Sequence, residues 1–158
     1  MEKAARIKQL IEARTALLGA VAGLCDDDFE TAFGDRRLSL KKRLAHIAVV
    51  DWDVARGIRE ISQGSRVLAP HQLPTSDWSE GKIDLVEPRC CSSSNEIMAE
   101  VVLSLQALLD ELRSLPDEHF LTIQTEGPGS TRGAASLVDV ALRCTQQHHE
   151  EFLSWRGE

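Results

Sequence analysis

The chain has 158 residues, 42% of them hydrophobic and 27% charged, which suits one globular domain over 1–158 and argues against wholesale disorder. A net charge of −7 is the opposite of a nucleic-acid binder's basic footprint, and 4% aromatics with no tyrosine gives no stacking platform for bases. No apolar run reaches the roughly 18 residues that cross a bilayer, and the start, MEKAARIKQL, has no apolar signal core. The expectation is therefore a cytoplasmic protein without nucleic-acid or membrane partners.

Residues Glu2 to Leu24 read as a first helix. Ile7, Leu10, Ile11, Leu17, Leu18, Val21 and Leu24 recur at three- and four-residue spacing, and Lys3, Lys8, Glu12 and Arg14 fall on the other side. The acidic run Asp26, Asp27, Asp28 reads as a solvated turn, because its spacing is not that of a calcium loop. Phe29 to Leu38 is a connection with Gly34-Asp35 as its turn signal.

Ser39 stands at an N-cap position before a second helix running to about Gln63, with Gly64 as its stop. Leu40, Leu44, Ile47, Val54, Ile58 and Ile61 form its stripe. Asp51 lies inside that stripe, where a carboxylate without a partner is costly. His46 sits on the flank of the stripe. Lys41, Lys42 and Arg43 read as the solvated start of the helix.

Ser65 to Ser92, with Pro70, Pro74, Gly81 and Pro88, shows no helix or strand pattern. It is read as a long crossover or a cover over a site, with Trp78 and Leu85 as anchors. Ser93 and Glu96 have capping-box spacing and open a third helix that ends before Pro116. LTIQTEGPGSTRG follows, with an alternating start and a Gly-Pro-Gly turn that suits a short hairpin or an irregular loop. Ser136 then caps a fourth helix. Four amphipathic helices without a strong strand specify an all-α, four-helix bundle.

The fourth helix carries the candidate chemistry. Its apolar face holds Leu137, Val140, Ala141, Phe152 and Trp155, with Cys144 and His148 one turn apart in the middle. Side chains four apart point the same way, so Cys144 and His148 can hold one ion, and Glu151 can join them. His149 is rotated by about 100° toward the flank. The plainer reading of the same residues is a hydrogen-bonded core histidine and a cysteine serving as a small hydrophobe. His71 and His119 have no partner at ligand spacing. Four cysteines without CxxC spacing, two of them the adjacent Cys90 and Cys91, point to reduced thiols.

LSLKKRLAHIAVVDWD and QQHHEEFLSW carry a family resemblance. The chain resembles the DinB/YfiT-like family of metal-dependent four-helix bundles over nearly its whole length, most strongly over residues 5–64 and 136–156. Leu38 stands where that family often has tryptophan, and His46 where it has its first metal histidine. His148 matches the first histidine of the family's His-x3-His segment, and Phe152, which cannot ligate, takes the second.

The resemblance implies an up-down-down-up bundle with a long crossover between helices two and three. It also implies a divalent ion, nickel or zinc, a low-molecular-weight thiol such as bacillithiol or mycothiol as substrate, and a homodimer. His46 and His148 are then the metal residues, and Cys144, Glu151 or His149 would have to complete the set. Two functions follow. One is a metal-dependent, thiol-dependent transferase or hydrolase with a degenerate site between helices two and four. The other is a non-catalytic dimeric bundle without metal, acting as an interaction or small-ligand-binding module.

Overall fold

The computed structural model describes residues 2–34, 37–63, 93–121, 125–126, 129–130 and 133–157. Helix α1 spans Glu2–Val21, ending earlier than its apolar spacing suggests. The acidic run is exposed at Asp26 and Asp27, as expected, but it forms the first turn of a short helix, α2, Asp26–Glu30, rather than a turn alone. Carboxylates are stabilised there by the exposed N–H groups of a helix start, and the Asp28 carboxylate accepts from the Cys25 backbone N–H at 3.3 Å. The turn drives Phe29 into the core. Strand β1, Ala32–Phe33, pairs antiparallel with β2, Leu38–Ser39, with Ala32 opposite Ser39 and Phe33 opposite Leu38.

Helix α3 spans Leu40–Ser62, and the Ser39 hydroxyl accepts from the Lys42 N–H at 3.1 Å, as its position predicts. Helix α4 spans Ser94–Ser114 and has the expected capping box of Ser93 and Glu96, with Leu115 as its C-cap before Pro116. A short helix, α5, spans Asp117–Phe120. Strands β3, Thr125–Glu126, and β4, Gly129–Ser130, form a two-stranded hairpin. Helix α6 spans Ala134–Arg156. Its N-cap is Gly133, so Ser136 lies in the first turn rather than capping it.

Contacts at the helix ends fix the direction of each long helix. Lys3 at the start of α1 donates to the Leu115 carbonyl at the end of α4, at 2.7 Å, and pairs with Asp117 at 2.8 Å. The hydrogen bond from Lys3 holds the Asp117 carboxyl below the usual carboxylate range. Arg6 meets Asp139 at 3.0 Å, so α1 and α6 start together. Arg59 meets Glu111 at 2.7 Å, so α3 and α4 end together. Arg43 at the start of α3 meets Glu151 near the end of α6. The order is up-down-down-up, as the family resemblance implies.

Helix α3 packs against α4 and α6, and α1 packs against the same two from the other side. The connection that makes this order feasible, 64–92, lies outside the described residues. So do Gly64, His71, Trp78, Leu85, Cys90 and Cys91. Among the described residues no helix is long and apolar enough to cross a membrane.

The core is built from the predicted stripes, including Leu10, Leu17, Leu44, Ile47, Ile58, Ile97, Leu108 and Leu137. Each such side chain, fully buried, contributes about 1.5–3 kcal/mol. Arg14, expected on the solvated side of α1, is instead 1% exposed. Its guanidinium grips Asp51 through two bonds, at 2.7 and 3.0 Å. It also donates to the Val101 carbonyl at 3.2 Å and to Thr145 Oγ1 at 3.1 Å. Ser104 Oγ donates to the same Asp51 carboxylate at 2.7 Å. One buried polar knot therefore joins all four long helices.

Candidate metal centre

The two helices that face one another antiparallel, α3 and α6, bring His46 and His148 together. His46 lies one turn before Val50 on the buried face of α3, and His148 lies one turn after Cys144 on α6. Nδ1 of His46 is 2.9 Å from Nε2 of His148, and the rings meet edge to face with centroids 5.2 Å apart. The Cys144 sulfur is 3.7 Å from the same Nδ1. All three side chains are buried, and one donor atom from each lies within 4.8 Å of the others.

Arg43 frames the other side of the cluster. The sequence places it at a solvated helix start, but its side chain is 1% exposed. Lys41 is buried too and pairs with Glu30. The Arg43 guanidinium donates to the Phe33 carbonyl at 2.6 Å and to the Leu38 carbonyl at 3.2 Å, which fastens the β1–β2 hairpin to α3. Its central carbon lies 4.2 Å from the centroid of the Phe33 ring, a favourable cation–π distance. Nη1 points at Nδ1 of His148 from 3.3 Å and also donates to the Glu151 carboxylate.

Gly34 permits this arrangement. Its φ is +77°, and a Cβ there would lie 2.6 Å from Arg43 Nη2. Gly34→Ala is expected to cost about 1–2 kcal/mol from the left-handed backbone alone, and more because the guanidinium must shift. A urea-unfolding midpoint equal to that of the wild type would show that Arg43 is not held in this way.

The sequence-derived candidates separate clearly. His46 and His148 are brought together, and Cys144 is the third group beside them. Glu151 is engaged by Arg43, and His149 is only half-buried, on the flank. Phe152 is directed elsewhere. It packs edge-on against Phe33, with centroids 6.2 Å apart, and against Trp155 at 5.9 Å. Asp51 belongs to the Arg14 knot. His119 lies on the surface near Glu118. Arg43 is the residue that spacing alone overlooked. Its signal was its position one turn before Ile47, on the same side of α3.

Two nitrogen donors and one sulfur, buried and convergent, are a donor set that can hold a divalent transition ion. With three protein ligands, a bound ion would remain open to water or substrate, as in catalytic rather than structural zinc sites.

The architecture that presents this cluster recurs in solved structures. A mycothiol-dependent maleylpyruvate isomerase superposes with a TM-score of 0.73 at 10% identity, over 94% of this chain and 60% of that enzyme. This chain thus spans 60% of the isomerase's length. An uncharacterized protein from Clostridium difficile 630 superposes with a TM-score of 0.71 at 12% identity, over 98% of this chain and 95% of its own. A protein from Streptococcus pneumoniae gives a TM-score of 0.71 at 12% identity, covering 98% and 90%. At such identities the likeness is one of fold. No curated protein matches the chain in sequence. The family model of the DinB superfamily, however, matches residues 9–152, which takes in α3, most of α6 and every member of the His46–Cys144–His148 cluster. The chain belongs to the DinB superfamily.

Proposed function

We propose that the protein is a divalent-metal-dependent enzyme acting on a low-molecular-weight thiol, with the ion held by His46, His148 and Cys144. The observation that carries this reading is the convergence of three buried donor atoms within 4.8 Å. The donor set fits an ion in type: two imidazoles and a thiolate suit zinc, and nickel also accepts such ligands. A bound ion would act as a Lewis acid that lowers the pKa of a thiol or water. Cys144 would bind as the thiolate, so uptake displaces its proton. The mycothiol-dependent enzyme of the same fold supports a small thiol as the substrate class.

Elemental analysis of protein purified without chelator is expected to find close to one zinc or nickel per chain. Zinc added to stripped protein at a hundred times its Kd should stabilise it by about 2.7 kcal/mol. Absence of metal, together with a melting temperature indifferent to zinc and nickel, would sink the proposal.

A second reading has its own support. The contacts from Arg43 to His148 and from His148 to His46 are hydrogen bonds made without an ion. If the protein is a non-catalytic bundle, His148→Leu should cost about 1–3 kcal/mol in urea unfolding, since it takes the partner from His46 Nδ1 and from Arg43 Nη1, and zinc should stabilise neither form.

A further inference from the structure

We infer that Arg43 opposes metal uptake by fixing the tautomer of His148, and that Glu151 is the carboxylate that takes over His148 when an ion enters. This rests on the metal reading above and names what regulates that site.

A guanidinium has five N–H donors and no acceptor. Nη1 of Arg43 faces Nδ1 of His148 at 3.3 Å, so Nδ1 must be the acceptor. A neutral His148 then carries its proton on Nε2, the atom 2.9 Å from His46 Nδ1. His46 accepts that proton through Nδ1 and keeps its own on Nε2. The three residues form one directed chain of donors, from Arg43 through His148 to His46.

Nε2 of His148 is also the atom that points at His46 and Cys144, and so at any shared ion. An ion can bind it only when it carries no proton. The proton must then sit on Nδ1, where it would confront an Arg43 N–H. Two donors cannot share that contact. His46 needs no such change, because its Nδ1 is already bare.

Glu151 supplies the alternative partner. It lies three residues after His148 on α6, and its carboxylate is already in contact with Arg43 Nη1. If Nη1 swings off His148, the carboxylate can accept from Nδ1–H. That gives the carboxylate–histidine pairing that orients metal-binding imidazoles. The guanidinium is a rigid plane, so moving Nη1 also shifts its Nη2 contact to the Phe33 carbonyl and its Nε contact to the Leu38 carbonyl, a further cost that Arg43 sets against metal uptake. The fixed positive charge beside the site disfavours a cation in the same sense.

The test uses Arg43→Gln and Glu151→Gln in the full chain, with zinc as the probe. Zinc affinity is measured by competition with a chromophoric chelator. In parallel, long-range proton–nitrogen correlation spectra of the metal-free proteins report the His148 tautomer. Arg43→Gln is expected to bind zinc about tenfold to a hundredfold more tightly, and Glu151→Gln more weakly by a similar factor, the usual span for partners of ligand residues. The wild-type spectrum should show His148 protonated on Nε2, and Arg43→Gln should move the proton to Nδ1.

A folded Arg43→Gln with unchanged or weaker zinc affinity overturns the inference, as does a wild-type His148 protonated on Nδ1. If Arg43→Gln does not fold, Glu151→Gln with wild-type affinity overturns it. If no form of the protein binds zinc, the metal reading fails as well. If the wild type binds zinc and the variants match it, only the role of Arg43 and Glu151 falls.

Discussion

Asp51→Leu is expected to lower the unfolding free energy by about 3–5 kcal/mol, the usual cost of leaving a buried partner charge uncompensated. Arg14 is 1% exposed and gives Asp51 two of its hydrogen bonds. Without the carboxylate, the guanidinium keeps, among the described residues, only the Val101 carbonyl and the Thr145 hydroxyl as acceptors. A domain with roughly 5–15 kcal/mol of total stability would lose much of it. The double variant Arg14→Met with Asp51→Leu should recover most of the loss, because an apolar pair of similar volume avoids the desolvation cost of both charges.

Urea unfolding of the two single variants and the double gives the coupling directly. A loss below about 1 kcal/mol in Asp51→Leu would show that the knot is not dry. The cycle also separates stability from specificity. Thr145 adjoins Cys144, and Asp51 lies just beyond the turn that carries His46. The knot therefore fixes how α3 and α6 meet, and with it the 2.9 Å approach of His46 to His148. A double variant that is stable but binds zinc poorly would mean that the knot sets the register of the site rather than holding the bundle together.

The fold was readable because its signals are local. The apolar stripes and the Ser39 and Ser93 caps depend on neighbours three or four residues away, and the observed helices follow them. The two arginines were misplaced because their reasons are distant. Arg14 bonds to Asp51, 37 residues on, and Arg43 reaches His148, 105 residues on. By residue type alone each looks like a surface charge. Hints were nevertheless present. Arg14 lies one turn after Leu10 and one turn before Leu17, and Asp51 lay in an apolar stripe that demanded a cation. Phe152 was given a role by motif register, which cannot see that its ring packs against the stacked Phe33 and Trp155.

Cys144→Ala is expected to weaken zinc binding by about a hundredfold, whereas Phe152→His should not strengthen it. The first figure follows from ligand count. Apparent binding free energies of about 10–16 kcal/mol spread over four zinc ligands give roughly 3 kcal/mol for each, and 1.4 kcal/mol is tenfold in affinity. The second follows from direction. Residue 152 is one turn beyond His148, and Cys144 is one turn before it, so the two lie on opposite sides of His148 along α6. The Cys144 sulfur is 3.7 Å from His46 Nδ1, while the Phe152 ring packs against the stacked pair of Phe33 and Trp155. A histidine at 152 would enter that aromatic cluster, not the space shared by His46 and His148. It would cost stability there, since it exchanges a buried apolar ring for a polar one. Cobalt separates the alternatives spectroscopically. A sulfur-to-cobalt charge-transfer band in the wild type, lost in Cys144→Ala and kept in Phe152→His, is the expected pattern. Tighter zinc binding in Phe152→His, with no loss in Cys144→Ala, would mean that the ion sits one turn further along α6 and that the sulfur is only packing.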